Sequence, residues 1–310
     1  MLESLVDQIL GQLIQKQVIK KSPLSTVMGV RPHAPGSPIT FYVFLKNKKQ
    51  PDFFLKVSRF PGLPFLREEK EKHDKIAFLP GAWKDRIAQP LFYGEQTGHS
   101  FLLYSALQHQ PLYGFFFRVF LKDKLYSKLT EWLIDVAQNS ESSLQMVERN
   151  KKTFDGIQRC QGMGLLPQFE EMFRKAKDFF GAQLWQKGIF QHRDLFRENI
   201  LFLKLVPMDY RICDLASSSF EGFPFADLFN LSLSFGVQGV KLLKTVRRYA
   251  NAVGFSRDAW LPFAVGSAVE SFWKHVSISR ENGNLFSEVP KRTLSQRLQF
   301  LCDLAKLEST

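Results

Sequence analysis

The sequence predicts an α+β chain in which a small lobe built around a β-sheet precedes a larger, mainly helical lobe. Three observations favour this order. Apolar residues recur at helical spacing over residues 2–19, two apolar runs flank a polar turn within residues 39–57, and the pattern becomes mainly helical from about residue 112. We therefore divide the chain into an N-terminal lobe, residues 1–104, and a C-terminal lobe, residues 105–310.

The N-terminal lobe is predicted to begin with a helix that ends before Pro23, since proline disfavours helical geometry in the residue before it. We expect this helix to pack on its own lobe; contact with a membrane surface is the alternative. The apolar runs Ile39–Leu45 and Phe53–Val57 form a predicted hairpin. A charged helix, residues 66–79, follows, with glutamates near its start, where they suit the helix dipole.

Two more short apolar segments complete the predicted sheet, Ala88–Tyr93 and Phe101–Leu107, with a turn at Gly94–Gly98 between them. The C-terminal lobe is mainly helical, and an extended segment, Ile189–Leu215, interrupts it. Its predicted helices cover residues 115–138, 167–184, 224–252, 258–277 and 292–307.

The composition is that of a globular protein, with 45% hydrophobic and 23% charged residues. Phenylalanine occurs 31 times, which predicts an aromatic-rich interior. The net charge of +12 favours an anionic partner, while its basic clusters are expected to be solvated faces, so no nucleic acid is predicted. Three widely spaced cysteines indicate neither a disulfide framework nor a zinc site. The start of the chain lacks a signal-peptide pattern, and we expect a cytoplasmic protein.

The segment from His192 to Asn199 carries the strongest chemical signal, His-Arg-Asp followed by an asparagine five positions after Asp194. This spacing is typical of a kinase catalytic loop, in which the carboxylate accepts the proton of the attacking hydroxyl and the asparagine binds Mg²⁺. A second carboxylate, Asp214, ends the apolar strand that follows, where it is suited to bridging Mg²⁺ to phosphates. Together these residues predict a phosphoryl-transfer site.

These stretches resemble the kinase-like phosphotransferases, a superfamily that includes the aminoglycoside, choline and related small-molecule kinases. The usual motifs of that branch are His-Gly-Asp-Leu-x-x-x-Asn-Ile-Leu, Ile-Asp-Trp/Phe and Pro-x-x-Asp-Leu. The chain carries corresponding residues at His192–Leu201, Ile212–Leu215 and Pro224–Leu228. It departs from them by an arginine in place of the usual glycine at position 193, and by Cys213 before Asp214.

The resemblance implies a bilobal protein-kinase-like fold, with a small β-sheet N-lobe and a mainly helical C-lobe. It implies that ATP is the phosphate donor and Mg²⁺ its metal, held by Asn199 and Asp214. Asp194 is then the catalytic base, and Asp227 is expected to support the catalytic loop rather than touch substrate. The implied acceptor is a small hydroxyl compound: a sugar, amino sugar, amino alcohol or glycolipid sugar, with an anionic or membrane-linked acceptor among the alternatives.

Lys56 in Phe53–Val57 resembles the lysine that contacts the nucleotide phosphates, and strand alternation places it opposite Leu55 and Val57. Glu69 is our first choice for its partner carboxylate, ahead of Glu68. The alternative for Lys56 is an ordinary edge-strand lysine.

The expected phosphate loop, residues 25–40, contains only two glycines and lacks a GxGxxG motif. This weak loop keeps open a non-catalytic, nucleotide-binding pseudokinase-type module. A protein kinase is a further alternative, but no Ala-Pro-Glu sequence follows Asp214, and Asp227 follows it closely. Arg193 and Arg197 could add positive charge near the transferring group or bind an anionic acceptor. For Arg193, a surface or structural salt bridge is the favoured alternative.

Overall fold

The computed structural model describes most of the chain: residues 2–21, 23, 25–29, 37–45, 50–108, 112, 117–141, 146–182, 187–255, 259–281 and 288–309. The basic cluster at 46–49 and residues 30–36 of the predicted phosphate loop lie outside the described residues.

The chain divides into two compact units. The first contains Met1–Leu112 and Glu198–Ala216, and the second contains Tyr113–Arg197 and Ser217–Thr310. The segment that follows the predicted catalytic loop therefore belongs with the N-terminal sheet. The boundary between residues 104 and 105 stays a prediction.

The strands have the following bounds: β1 Ser25–Met28, β2 Ile39–Phe44, β3 Phe53–Val57, β4 Pro90–Gln96, β5 His99–Ser105, β6 Ile189–Gln191, β7 Ile200–Lys204, β8 Asp209–Ile212 and β9 Ser219–Gly222. The α-helices have the following bounds: α1 Leu2–Gln15, α2 Phe65–Ala77, α3 Lys122–Asn139, α4 Met146–Gly162, α5 Glu170–Gly181, α6 Ala226–Phe235, α7 Gly239–Val253, α8 Trp260–Glu281 and α9 Glu288–Ser309.

The first unit is built on a five-stranded antiparallel sheet in the order β1-β2-β3-β5-β4. The predicted hairpin is confirmed, with Phe41 of β2 opposite Leu55 of β3. The turn between β4 and β5 is shorter than predicted. Thr97 and Gly98 both have positive φ, 49° and 79°, which suits a two-residue hairpin connection. Gly94 lies in β4, where an added Cβ would come within 2.5 Å of the Phe101 ring.

One face of this sheet is covered by α1, which buries its apolar stripe against alternate residues of three strands. Ile9 and Leu13 are fully buried there, as are Leu55, Val57 and Phe101 of the sheet. The helix therefore packs on its own unit, as predicted. Among the described residues, no helix combines the length and the apolar character needed to cross a membrane.

The second unit contains α3 to α9 and the two-stranded sheet of β6 and β9. Its core is rich in phenylalanine, as the composition predicts. The rings of Phe180, Phe223 and Phe225 each lie 5.9–6.2 Å, between centroids, from the ring of Phe263. Phe180 and Phe223 are in closer contact, at 5.0 Å.

Two predictions for the second unit are wrong. Residues 224–252 form two helices rather than one, because the chain turns at Gly236 and Gly239, each with φ of 59°. Helix α4 was not predicted, because its buried face includes polar residues such as Arg149, Asn150 and Thr153 and so lacks an apolar period.

Candidate functional site

Lys56 lies on a central strand, because β3 has β2 on one side and β5 on the other. This position excludes the alternative of an edge-strand lysine. Its neighbours Leu55 and Val57 are fully buried in the core under α1. The alternation of side chains therefore places Lys56 on the opposite face of the sheet.

The Lys56 ammonium contacts two carboxylates in the first unit. Its Nζ donates to Glu69 Oε1 at 2.8 Å and to Asp214 Oδ1 at 3.0 Å. Glu69, the first choice from sequence, is fully buried on α2, whereas Glu68 is exposed. Burial disfavours the charge on Lys56, but Glu69 and Asp214 outweigh this effect and raise its pKa. The lysine is therefore a fixed cation beside Asp214.

A buried network continues from Glu69 to β5 and α2. The Tyr104 hydroxyl donates to Glu69 Oε1 at 2.8 Å, and Nε2 of His73 lies 3.2 Å from the same hydroxyl. Nδ1 of His73 faces the side-chain amide of Gln89, also at 3.2 Å. Burial lowers the pKa of His73 to about 4, so its ring is neutral at pH 7.

Only part of this network follows from the local sequence pattern. Glu69, His73 and Ile76 recur at helical spacing, which predicts a common inward face, and all three are buried on α2. The resemblance assigns Phe101–Leu107 to the segment that joins the lobes, where backbone groups would bond the adenine, so it predicts no role for the Tyr104 side chain. Its contact with Glu69 depends on the pairing of β3 with β5, which puts Phe54 opposite Tyr104. Strand order is a tertiary property that the local pattern does not contain.

Asn199 and Asp214 lie at the same end of the β7–β8 hairpin. Ile200 is opposite Ile212, so Asn199 precedes one strand and Asp214 follows the other. The backbone N–H of Cys213 donates to the Asn199 carbonyl at 3.0 Å. Lys72 of α2 donates to the Ala216 carbonyl at 2.7 Å, which ties the segment after Asp214 to the first unit.

This end of the hairpin offers one carboxylate and one amide oxygen. Both are hard oxygen donors of the kind that Mg²⁺ takes from proteins when phosphates complete its coordination. Among the described residues, no group of three or more His, Cys, Asp or Glu side chains has the arrangement to hold a metal by itself. One carboxylate and one amide oxygen fit an Mg²⁺ whose other ligands are phosphate and water oxygens.

Asp227, at the start of α6, forms hydrogen bonds with the backbone of the predicted catalytic loop in the second unit. Its buried carboxylate accepts the backbone N–H groups of His192 at 2.6 Å and Arg193 at 2.8 Å. The Asp227 N–H donates to Gln191 Oε1 at 3.1 Å. This confirms that Asp227 supports the loop.

Arg193 has φ of 64°, in the left-handed region that favours glycine. This explains why a glycine is usual at this position of the motif. The arginine side chain lies 3.7 Å from Glu270, which agrees with the predicted structural salt bridge.

Asp194 lines a cavity of about 770 Å³ in the second unit, which we call the Asp194 cavity. The volume is in the range of small-molecule sites in proteins. Other walls come from α4, α6, α8 and α9, including Arg149, Phe229, Lys274 and Arg297. Sequence reasoning missed these walls, because no spacing links residues on four separate helices.

Comparison with solved structures finds the same fold in several small-molecule kinases. The GDP complex of wild-type aminoglycoside 2'-phosphotransferase-IIIa superposes with a TM-score of 0.55 at 17% identity, over 96% of this chain and 97% of that one. A putative fructosamine-3-kinase from Haemophilus somnus 129PT gives 0.56 at 14% identity, over 94% and 96% of the two chains. Choline kinase LicA from Streptococcus pneumoniae gives 0.55 at 14%, over 96% and 99%.

Comparison at the sequence level gives no match, either to a protein-family model or to a curated protein. The likeness is therefore one of fold, and it covers nearly the whole chain. It confirms the expected architecture, with a five-stranded antiparallel sheet in one unit and mainly helices in the other. This chain has the fold of the kinase-like phosphotransferases.

Proposed function

We propose that this chain is an ATP-dependent small-molecule kinase that transfers the γ-phosphate of ATP to a hydroxyl group. The observation that carries the proposal is the contact of Lys56 with both Glu69 and Asp214 in the first unit. These residues come from three separate segments of the chain: β3, α2 and the segment that follows β8. The acceptor is a sugar, amino sugar, amino alcohol or glycolipid sugar.

Lys56 would contact the nucleotide phosphates. Glu69 fixes the ammonium from its buried side, and Tyr104 in turn fixes Glu69. A cation held in this way needs no reorganisation when an anionic phosphate binds, which lowers the cost of binding. Structures of the same fold contain GDP, AMP and ADP, which supports a nucleotide as the ligand here.

Asn199 and Asp214 would hold Mg²⁺. When bound, this ion neutralises charge on the phosphate oxygens. The Asp214 side chain is 44% exposed, so its carboxylate is accessible as well as being anchored by Lys56. The hairpin contact between Cys213 and Asn199 keeps the two donor residues at one end of the β7–β8 pair.

Asp194 would accept the proton of the acceptor hydroxyl. It lines the Asp194 cavity, and the loop that carries it is fixed by the two backbone hydrogen bonds to Asp227. A carboxylate positioned within reach of the hydroxyl contributes as a general base and by orientation. This division gives the first unit the nucleotide contacts and the second unit the acceptor contacts.

The proposal is tested by measuring ATP consumption with Mg²⁺ across a panel of sugars, sugar phosphates, sugar acids, amino sugars and amino alcohols. Acceptor-dependent consumption is expected in the wild type. Lys56→Gln should reduce it by about tenfold or more, because one charged hydrogen-bond donor to the phosphates is lost. Lys20→Gln, at an exposed lysine of the same unit, is the matched control and should behave as the wild type. No consumption with any acceptor would contradict the proposal.

Thermal shift with ATP separates an enzyme from a nucleotide-binding module without catalysis. An enzyme of the proposed kind should be stabilised more by ATP with Mg²⁺ than by ATP alone, and Asp214→Ala should remove the difference. Equal stabilisation with and without Mg²⁺, unchanged in Asp214→Ala, would instead support the non-catalytic module.

A further inference from the structure

We propose that the acceptor is an anionic hydroxyl compound, a sugar bearing a phosphate or carboxylate group, which Arg297 and Lys274 bind in the Asp194 cavity. This inference rests on the proposed function in one respect: the bound compound is a substrate only if the chain is a kinase. It also makes a claim about binding that holds without catalysis. The fold alone does not suggest it, since the fold is shared by kinases named for choline and for aminoglycosides.

The wall of the Asp194 cavity contains more cationic side chains than carboxylates. The cationic side chains that line it are Arg149, Lys152, Arg159, Arg193, Lys274 and Arg297. The carboxylates that line it are Glu148, Asp194, Glu221 and Glu270. The wall therefore carries two more cations than carboxylates, and a low-dielectric cleft strengthens the field of such a surplus.

Two of these carboxylates, Glu270 and Glu148, already pair with cations of the cavity wall. Glu270 is shared by Arg149 and Arg193, and it accepts a hydrogen bond from Thr153 at 2.8 Å. Glu148 pairs with Lys152 on the exposed side of α4. Glu270 is on α8, the helix that also carries Lys274, and Arg297 is on α9. In the described chain, no carboxylate lies within ion-pair distance of Lys274 or Arg297, because Glu270 pairs with Arg149 and Arg193 instead.

Arg297 is the residue of this wall that most directly indicates an anionic ligand. It is partly buried, and within the described residues it forms neither an ion pair nor a hydrogen bond. Desolvation lowers its pKa, with no neighbouring carboxylate to oppose the effect. Leaving a guanidinium desolvated and unpaired costs free energy, which an anionic ligand would recover. The guanidinium also matches the planar geometry of phosphate and carboxylate oxygens.

Lys274 connects this wall to the candidate base. It is exposed, and its Nζ lies 3.4 Å from the Ser217 hydroxyl. Partial desolvation and the charge of Arg193 lower its pKa, while Asp194 raises it, so Lys274 lies within electrostatic reach of both. An acceptor held by Lys274 would thus have its anionic group near the residue that accepts the hydroxyl proton.

Two further features of the cavity suit such a ligand. Nη1 of Arg149 is buried in the wall and has no hydrogen-bond partner among the described residues, although the same side chain pairs with Glu270. The rings of Phe229 and Trp273 add apolar surface that can pack against a sugar ring. The cavity therefore combines spare donors with flat apolar surface.

The test is calorimetric binding, without ATP, of glucose 6-phosphate, glucuronate, glucose and glucosamine. At least one anionic compound should bind about tenfold or more tightly than glucose and glucosamine, and comparison of the phosphate with the carboxylate identifies the anionic group. Arg297→Gln should weaken that binding by about tenfold, and Lys274→Gln should weaken it in the same direction. The charge-conserving Arg297→Lys should retain part of the affinity.

Arg174→Gln is the matched control, since Arg174 is an exposed arginine of the second unit outside the cavity wall. The inference is overturned if no anionic compound binds, if glucose or glucosamine binds as tightly, or if Arg297→Gln and Lys274→Gln both leave the affinity unchanged. Anion binding that depends on Arg297 but supports no phosphate transfer would sustain this inference and contradict the proposed function. Phosphate transfer to a neutral or cationic acceptor, at a rate that Arg297→Gln does not change, would support the proposed function and contradict this inference.

Discussion

At the scale of single residues, the first unit is organised around a buried carboxylate. Glu69 is fully buried and accepts hydrogen bonds from Lys56 and Tyr104. Lys56 also forms an ion pair with Asp214, whose side chain is partly exposed. The pair therefore differs from an isolated buried ion pair, because solvent and Asp214 share the charge of the lysine.

Replacing Glu69 tests this arrangement. Glu69→Gln should lower the free energy of unfolding by about 1–3 kcal/mol, because a buried charged acceptor is lost and a buried amide needs new partners. Urea denaturation measures the change. Glu68→Gln, at the exposed neighbouring position, is the matched control and should stay within about 0.5 kcal/mol of the wild type. Equal effects of the two variants would show that the buried network contributes nothing to stability.

His73 predicts a pH dependence of stability. Its folded-state pKa of about 4 is below the ordinary value of 6.5, so protonation favours the unfolded chain. The neutral ring therefore supports stability fully above about pH 6.5, and this support is lost as pH falls towards about 4. The loss amounts to about 3 kcal/mol.

The difference between the wild type and His73→Gln isolates this contribution. As pH falls from about 7 to about 4, the unfolding free energy of the wild type should approach that of His73→Gln, because only the wild type has the titrating ring. Curves that run parallel over this interval would rule out a depressed His73 pKa.

At the scale of elements, the predicted catalytic loop depends on the start of α6. Asp227 reaches two successive backbone N–H groups, which a carboxylate with two oxygens can accept together. An asparagine would place an N–H₂ donor against one of these donors. The stability of the loop is therefore coupled to that of α6, although Asp227 follows Asp194 by 33 positions in the sequence.

Asp227→Asn should therefore destabilise the loop by about 1–3 kcal/mol. Hydrogen exchange is the direct measurement, since the amides of His192 and Arg193 should lose protection while those of the α1 core keep it. Asp155→Asn, at an exposed position of α4, serves as the control. Unchanged protection of the two loop amides in Asp227→Asn would refute the supporting role of this carboxylate.

At the scale of the whole molecule, the parts that the sequence predicts are those set by local pattern. Helix α1, the β2–β3 hairpin and the inward face of α2 follow from periodicity. The catalytic role of the loop that carries Asp194 stays a prediction from the spacing of its residues. Helix α4 escaped this reasoning because its buried face is partly polar. The wall of the Asp194 cavity escaped it because Arg297 and Asp194 are brought together by packing of distant segments.

The measurement that tests the account most directly is single-turnover transfer of the γ-phosphate to a bound acceptor, in the wild type and in Asp194→Asn. The same samples give the dissociation constant for ATP with Mg²⁺. We predict that the variant binds ATP as the wild type does and transfers phosphate about a hundredfold or more slowly, because it lacks the general base. Transfer at the wild-type rate in Asp194→Asn would contradict the account.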